Sequence, residues 1–325
     1  MLLETLGFHM PLTLEQYAEH LEARNEPRPE GPDAVPYKAK PHLPVLDNVR
    51  CVIFGGYGTL MLITGGESFL INPDPVMRKI SLDKTIREFA MWQSMSRKPG
   101  EPSEYMTTIF KQVLDSLFPI DPNLKDTEIP IEKIWERILG RLFQKEYVYK
   151  VAFYGDLQEF CKKISYYYLQ ASQGVSTFPD LLKTLRSLKS RVKMTVHGNG
   201  QSDAPVRLWR LLCTQGKISN LGELFDPAFS FWSFQIGFKA HSERGWSALL
   251  RGIATQNLKP ENCLYVSSDL DRDLIPAKKR GFRTAVLLAD KGSARVDKER
   301  LTNEKTRPDS LLTSLDQLLT MIPER

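Results

Sequence analysis

Four short stretches of this chain place residues capable of chemistry directly beside apolar runs. The first, FGGYGTL at 54–60, follows CVIF and carries the phenol of Tyr57 and the hydroxyl of Thr59, with only backbone at Gly55 and Gly56. The second, TVHGNGQ at 195–201, carries His197, Gly198 and Asn199. The third, IGFKAHSERGW at 236–246, carries Lys239 and His241. The fourth, YVSSDLDRD at 265–273, carries Ser268 and three carboxylates, Asp269, Asp271 and Asp273. Hydroxyls and amides can donate hydrogen bonds, lysine brings a fixed cation, and histidine or aspartate can move protons. Such groups act together only if the fold brings the four stretches to one place.

The elements around them supply that fold. Apolar runs at 51–54, 192–196, 229–234, 263–267 and 284–288 read as buried strands. Helical patterns separate them at about 181–188, 204–214 and 243–255, with another starting near Asp273. Repeated strand–helix units of this length predict an α/β protein with a Rossmann-like, doubly wound parallel sheet. Ligands bind such sheets beyond the carboxyl ends of the strands, where all four stretches fall. Residues from about 76 to 172 are helical in pattern, as in Ile131, Ile134, Trp135, Ile138 and Leu142. They predict an inserted α-helical domain. Thr13 and Gln16 fit a capping box opening a helix over 13–24, and a proline-rich stretch at 25–46 reads as an extended arm. The expected organisation is an N-terminal helix and arm at 1–48, a core at 49–62 and 178–325, and a helical cap at 63–177. Strand one is expected at the centre of the sheet.

Together the four stretches resemble the motifs of the haloacid dehalogenase-like (HAD) hydrolase superfamily, in its dehalogenase-type branch. The first motif there is an apolar strand followed by FDxDGTL or FDxYGTL. The second ends in Ser or Thr, the third supplies a Lys, and the fourth is VGD or VSS with a later Asp and A-x-x-x-G. Ala277, Gly281 and Thr284 match the tail of the last motif. The resemblance covers residues 50–62 and 180–290, with the helical insert where this superfamily places its cap.

The departures bear on activity. Gly55 stands where the resemblance implies the nucleophilic aspartate, which forms the covalent intermediate and ligates magnesium in the phosphatase branches. Glycine does neither, though it permits backbone conformations closed to other residues. Gly198 stands where a Ser or Thr would bind the oxyanion. Tyr57 and Ser268 match the dehalogenase branch. The resemblance further implies substrate-binding roles for Tyr57, Thr59, Gly198, Asn199 and Ser268, a cleft position for Lys239, and an ion pair between Lys239 and Asp273. Arg97, in the polar cap loop at 95–105, would meet an anionic substrate. Against these stand plainer readings: Lys239 as a surface lysine, Asp273 as a helix cap, residues 95–105 as a solvated loop, and His197 and His241 as structural groups.

Three functions follow. The first is a catalytically weak or silent protein that binds a small anionic ligand. The second is an active hydrolase, of phosphatase or haloacid dehalogenase type, in which Asp269, Asp271 or a histidine activates water. The third is a structural or interaction module. Asp at 55 is the change expected to restore part of any lost activity. No cofactor is expected, with magnesium binding weak or absent.

Composition narrows the rest. Net charge is +5, but basic and acidic residues interleave without a basic arm, so nucleic acid is not an expected partner. No apolar run approaches the ~20 residues of a membrane span. The first ten residues contain Glu4 and no basic cluster, unlike a secretory signal. The four cysteines form no CxxC pair, so a reducing cytoplasm is the expected compartment. Whether a protein partner exists is left open by the sequence.

Overall fold

The computed structural model describes residues 10–95, 100–118 and 126–324. They form two compact units, one within residues 10–29, 69–95, 100–118 and 129–174, the other within 30–68, 126–128 and 175–324. The boundary at 29/30 divides the segment expected to be one N-terminal piece. Its helix and the first residues of the proline-rich arm group with the helical unit, and the rest of the arm with the sheet unit.

The helical unit contains α1 (Leu14–Ala23), α2 (Pro75–Glu88), α3 (Pro102–Leu117), α4 (Ile131–Phe143) and α5 (Leu157–Ser172). Thr13 and Gln16 close the capping box on α1, each side chain accepting the other's backbone N–H. Pro75 and Pro102 open α2 and α3, where a missing N–H costs nothing. The apolar stripe of α4, Ile131, Ile134, Trp135, Ile138 and Leu142, is buried. Trp135 meets Phe110 of α3 and Tyr168 of α5 with ring centroids 5.6 and 5.4 Å away.

The sheet unit carries β1 (Cys51–Phe54), β2 (Leu62–Ile63), β3 (Val175–Ser176), α6 (Leu181–Lys189), β4 (Lys193–Gly198) and α7 (Asp203–Cys213). After these come β5 (Phe231–Trp232), α8 (Glu243–Thr255), β6 (Cys263–Ser267), β7 (Arg283–Leu287) and β8 (Ser310–Leu312). Six strands form one parallel sheet in the order β5-β4-β1-β6-β7-β8, and β2 pairs with β3 separately. Strand β1 is central, with Phe54 level with Val196 on one side and Val266 on the other. All four of its residues are buried, as its uninterrupted apolar run requires of a strand covered on both faces. One face carries Ile53, Trp246, Leu249, Tyr265 and Phe282 in a single apolar cluster.

The strand expected over 229–234 is shorter than its apolar pattern. Only Phe231 and Trp232 pair with β4, and a helical turn over Ser233–Ile236 follows at once. The arm runs beside the last strands. Val35 donates to Asp290, Tyr37 to the Leu288 carbonyl, and His42 exchanges backbone hydrogen bonds with Leu311 of β8. It covers the otherwise open edge of the sheet, a common protection against unwanted strand pairing.

Candidate functional site

Gly55 directly follows β1, and its amide donates to Val266 O at 3.0 Å. The chain then turns on itself, with the amides of Thr59, Leu60 and Met61 all donating to Gly56 O. Gly58 makes the turn possible at φ +81°, a left-handed conformation that favours glycine. The turn brings the fully buried Thr59 back beneath Gly55. A Cβ on residue 55 would lie 2.8 Å from Thr59 Oγ1 and 3.4 Å from Ser267 Oγ. Thr59 Oγ1 has no hydrogen-bond partner among the described residues. Gly55 itself is outside the left-handed region, so backbone conformation does not explain its glycine, contrary to the sequence-based expectation.

Close approach explains Gly198 instead. A Cβ there would lie 2.6 Å from Gly56 N and 3.0 Å from Gly56 Cα, both backbone atoms. The volume a serine or threonine side chain would need is already filled by the turn after β1. Trp232, at the end of β5, seals the same region. Its ring would lie 2.8 Å from a Cβ on Gly56 and 2.9 Å from one on Gly200.

Asn199 ties this strand end to the lysine loop. Its Oδ1 accepts from Ala240 N at 2.8 Å, and its Nδ2 meets His241 Nδ1 at 3.4 Å. Burial, followed by Arg272, lowers the His241 pKa, while Asp126 opposes them. Lys239 is not paired with Asp273. Its Nζ donates to Glu128 Oε2 at 2.7 Å, and Gln201 Nε2 donates to Glu128 Oε1, also at 2.7 Å. Residues 126–128 lie antiparallel to the lysine loop: Thr127 bridges Phe238, Glu128 N donates to Gly237 O, and Lys239 N to Asp126 O. The expected ion pair fails because this backbone ladder delivers a nearer carboxylate.

Asp273 instead accepts from Ser267 Oγ at 2.6 Å, and Ser267 Oγ accepts from Asp269 N at 3.0 Å. Burial, then repulsion by Asp269, pushes the Asp273 carboxyl up to about 7, against the Ser267 hydrogen bond and Arg272. A π-helical turn over Leu270–Leu274 absorbs an extra residue in this loop, a feature frequent at functional sites. The serine facing position 55 is therefore Ser267, still in β6, and not Ser268. The Ser268 hydroxyl turns to Gly58, where a Cβ would collide with it.

Tyr57 points toward α7, beside Ser68 and the buried Asp203–Arg207 ion pair, whose Nε–Oδ2 distance is 3.0 Å. Burial, then Asp203, raises its phenol pKa. His197 is enclosed with Trp246 and Tyr265, its Nδ1 2.9 Å from Tyr265 Oη and its Nε2 3.3 Å from Gly245 O. Burial pushes it down to about 4, so the ring is neutral near pH 7, and these contacts give it a structural role. Arg97 lies outside the described residues.

Magnesium, implied by the phosphatase branches of the resemblance, does not fit this donor set. Residue 55 offers no carboxylate, Asp271 pairs with Arg300, and Asp273 is held by Ser267. Among the described residues no cluster of three or more His, Cys, Asp or Glu could hold a metal. Glu128, Gln201, Trp232 and Ser267 escaped the sequence reading. Only Ser267 had a usable signal, since it continues the apolar strand that Ser268 leaves.

No family model matches the chain, and no curated protein matches it. Solved structures do. A 2-haloacid dehalogenase from Pseudomonas syringae pv. Tomato DC3000 is similar at 19% identity, over 84% of this chain and 97% of that one, with a TM-score of 0.52. An L-2-haloacid dehalogenase from Xanthobacter autotrophicus is 17% identical over 83% of this chain and 96% of that one, with a TM-score of 0.39 that adds nothing to the argument. At such identities the likeness establishes the fold alone. The chain has the haloacid dehalogenase-like fold.

Proposed function

We propose that this protein is a catalytically silent version of a hydrolase fold that retains binding of a small anionic ligand. One observation carries the loss of chemistry. Position 55 has no nucleophile, and the volume for a hydroxyl donor at position 198 is filled by the backbone of Gly56. Without the atom that bonds to substrate, only positioning and electrostatics remain, and turnover falls by orders of magnitude. Retained binding is supported by the buried, unpartnered Thr59 hydroxyl and by the ammonium of Lys239, whose side chain is 39% exposed. We assign no cofactor. Four free cysteines, three of them buried, agree with a reducing cytoplasm, and no described helix is long and apolar enough to cross a membrane.

A second reading rests on Asp273. An acid held near 7 is suited to activating water directly, without a covalent intermediate. His197 and Asp271 are poor alternatives, one enclosed among aromatics and the other paired with Arg300. A third reading, an interaction module, is favoured by Trp232 packed over the strand-end glycines.

Assays of the wild type, Lys239→Ala and Asp273→Asn with phosphate monoesters and 2-haloacids, beside calorimetric titration with inorganic phosphate, separate the three. Silent binding predicts no turnover and saturable phosphate binding lost in Lys239→Ala. Turnover lost in Asp273→Asn would establish the second reading. Absence of both turnover and binding would leave the third.

A further inference from the structure

Lys239 is the lysine that the third motif supplies to fix an anion by charge, yet it already carries one. We infer that Glu128, from outside every recognisable motif, is the specificity-determining residue of this site: it is the internal counter-ion that any anionic ligand must outcompete at Lys239. The inference rests on the anion-binding reading proposed above.

Three features make Glu128 a built partner. Its side chain is 3% exposed whereas that of Lys239 is 39% exposed, so the lysine faces solvent and the carboxylate does not. Both Glu128 oxygens are engaged, one by Lys239 and one by Gln201, each at 2.7 Å. The backbone ladder linking 126–128 with 237–239 holds the two backbones side by side, so the acid and the base start within reach of each other. A buried carboxylate pays heavily for losing its cation, so it holds Lys239 firmly. An incoming anion thus finds an ammonium already neutralised and competes with an intramolecular ligand that has lost little entropy on binding. Moving the lysine's partner from the fourth-motif acid to Glu128 has a second effect. It leaves Asp273 hydrogen-bonded to Ser267 instead of ion-paired with Lys239, in keeping with burial and Asp269 outweighing Arg272 in its titration.

Inorganic phosphate is the probe. Titrating it calorimetrically into the full-length wild type, Glu128→Gln, Lys239→Ala and the double variant tests the inference, with circular dichroism to verify folding. Glu128→Gln keeps size and hydrogen bonding to Gln201 while removing the charge. It should tighten phosphate binding at least about tenfold, the order of one charge-assisted hydrogen bond, and the double variant should lose the gain. Glu128→Asp, which shortens the reach by one methylene, should show part of the gain and carries the comparison if the glutamine variant does not fold. Equal affinity of wild type and the Glu128 variants, with binding still lost in Lys239→Ala, would overturn the role of Glu128 and leave the anion site standing. No phosphate binding to any folded variant would overturn the anion site, and the role of Glu128 with it.

Discussion

Gly198→Ala should destabilise this protein, although alanine in place of a strand glycine ordinarily stabilises. Removing glycine's excess conformational freedom gains about 0.5–1 kcal/mol. Against that, the new Cβ would lie 2.6 Å from Gly56 N and 3.0 Å from Gly56 Cα. Those are backbone atoms of a turn closed by three amides on Gly56 O, so they cannot swing aside as the end of a side chain can. Overpacking of this kind costs about 1–3 kcal/mol. The net loss is centred on about 1 kcal/mol, or about 2–4 °C in apparent Tm for a unit of this size. Gly140→Ala is the matched control. It lies on the exposed face of α4, with nothing within 4 Å of its Cβ, and should gain about 0.5–1 kcal/mol. Calorimetric melting of the three proteins side by side measures both signs. If Gly198→Ala melts at or above the wild type, in step with Gly140→Ala, then Gly56 does not close position 198. The structural reason for its missing hydroxyl is then wrong.

Gly55→Asp should restore no turnover of phosphate monoesters or 2-haloacids, a stricter outcome than the sequence alone suggested. Its Cβ would press on Thr59 Oγ1 at 2.8 Å, and Lys239, the cation it would need, is held by Glu128; steady-state turnover from the single variant would contradict this. Asp273 gives a pH test: its folded pKa is raised from 3.8 to about 7, so folding favours the protonated form. Its contribution is full below about pH 4 and is lost as pH rises through 7, so Asp273→Asn should equal wild type near pH 4 and melt higher above pH 7. A melting difference independent of pH would rule that out. His197 runs the other way. Its folded pKa is lowered from 6.5 to about 4, so its contribution is full above pH 6.5 and fades as pH falls through 4. His197→Phe should flatten that acid limb of the Tm profile, and an unchanged limb would show that the ring is not held neutral by burial.

The local order of this fold is written in the sequence because strands and helices leave periodic marks. CVIF at 51–54 is apolar without interruption because both faces of β1 are covered, and it is indeed central. The capping box at Thr13 and the stripe of α4 likewise need only a few neighbouring residues to be read. The four strand ends could be found for the same reason, since each adjoins such a run. Missing from that reading was everything that depends on distance across the chain. FSFWSF has the alternation of a longer strand, but only Phe231 and Trp232 pair with β4, and the chain turns helical at Ser233. Glu128 lies 111 residues from Lys239, within an insert whose helical pattern gives no hint of a two-residue antiparallel ladder to the core. Residue types alone showed that a lysine and several acids were available. Which acid the lysine takes was decided by backbone pairing, as charge attracts any carboxylate and only tertiary geometry ranks them. In the same way the sequence revealed that Gly55 and Gly198 lack side chains, and the packing of one turn against one strand end shows that at Gly198 the space for one is gone.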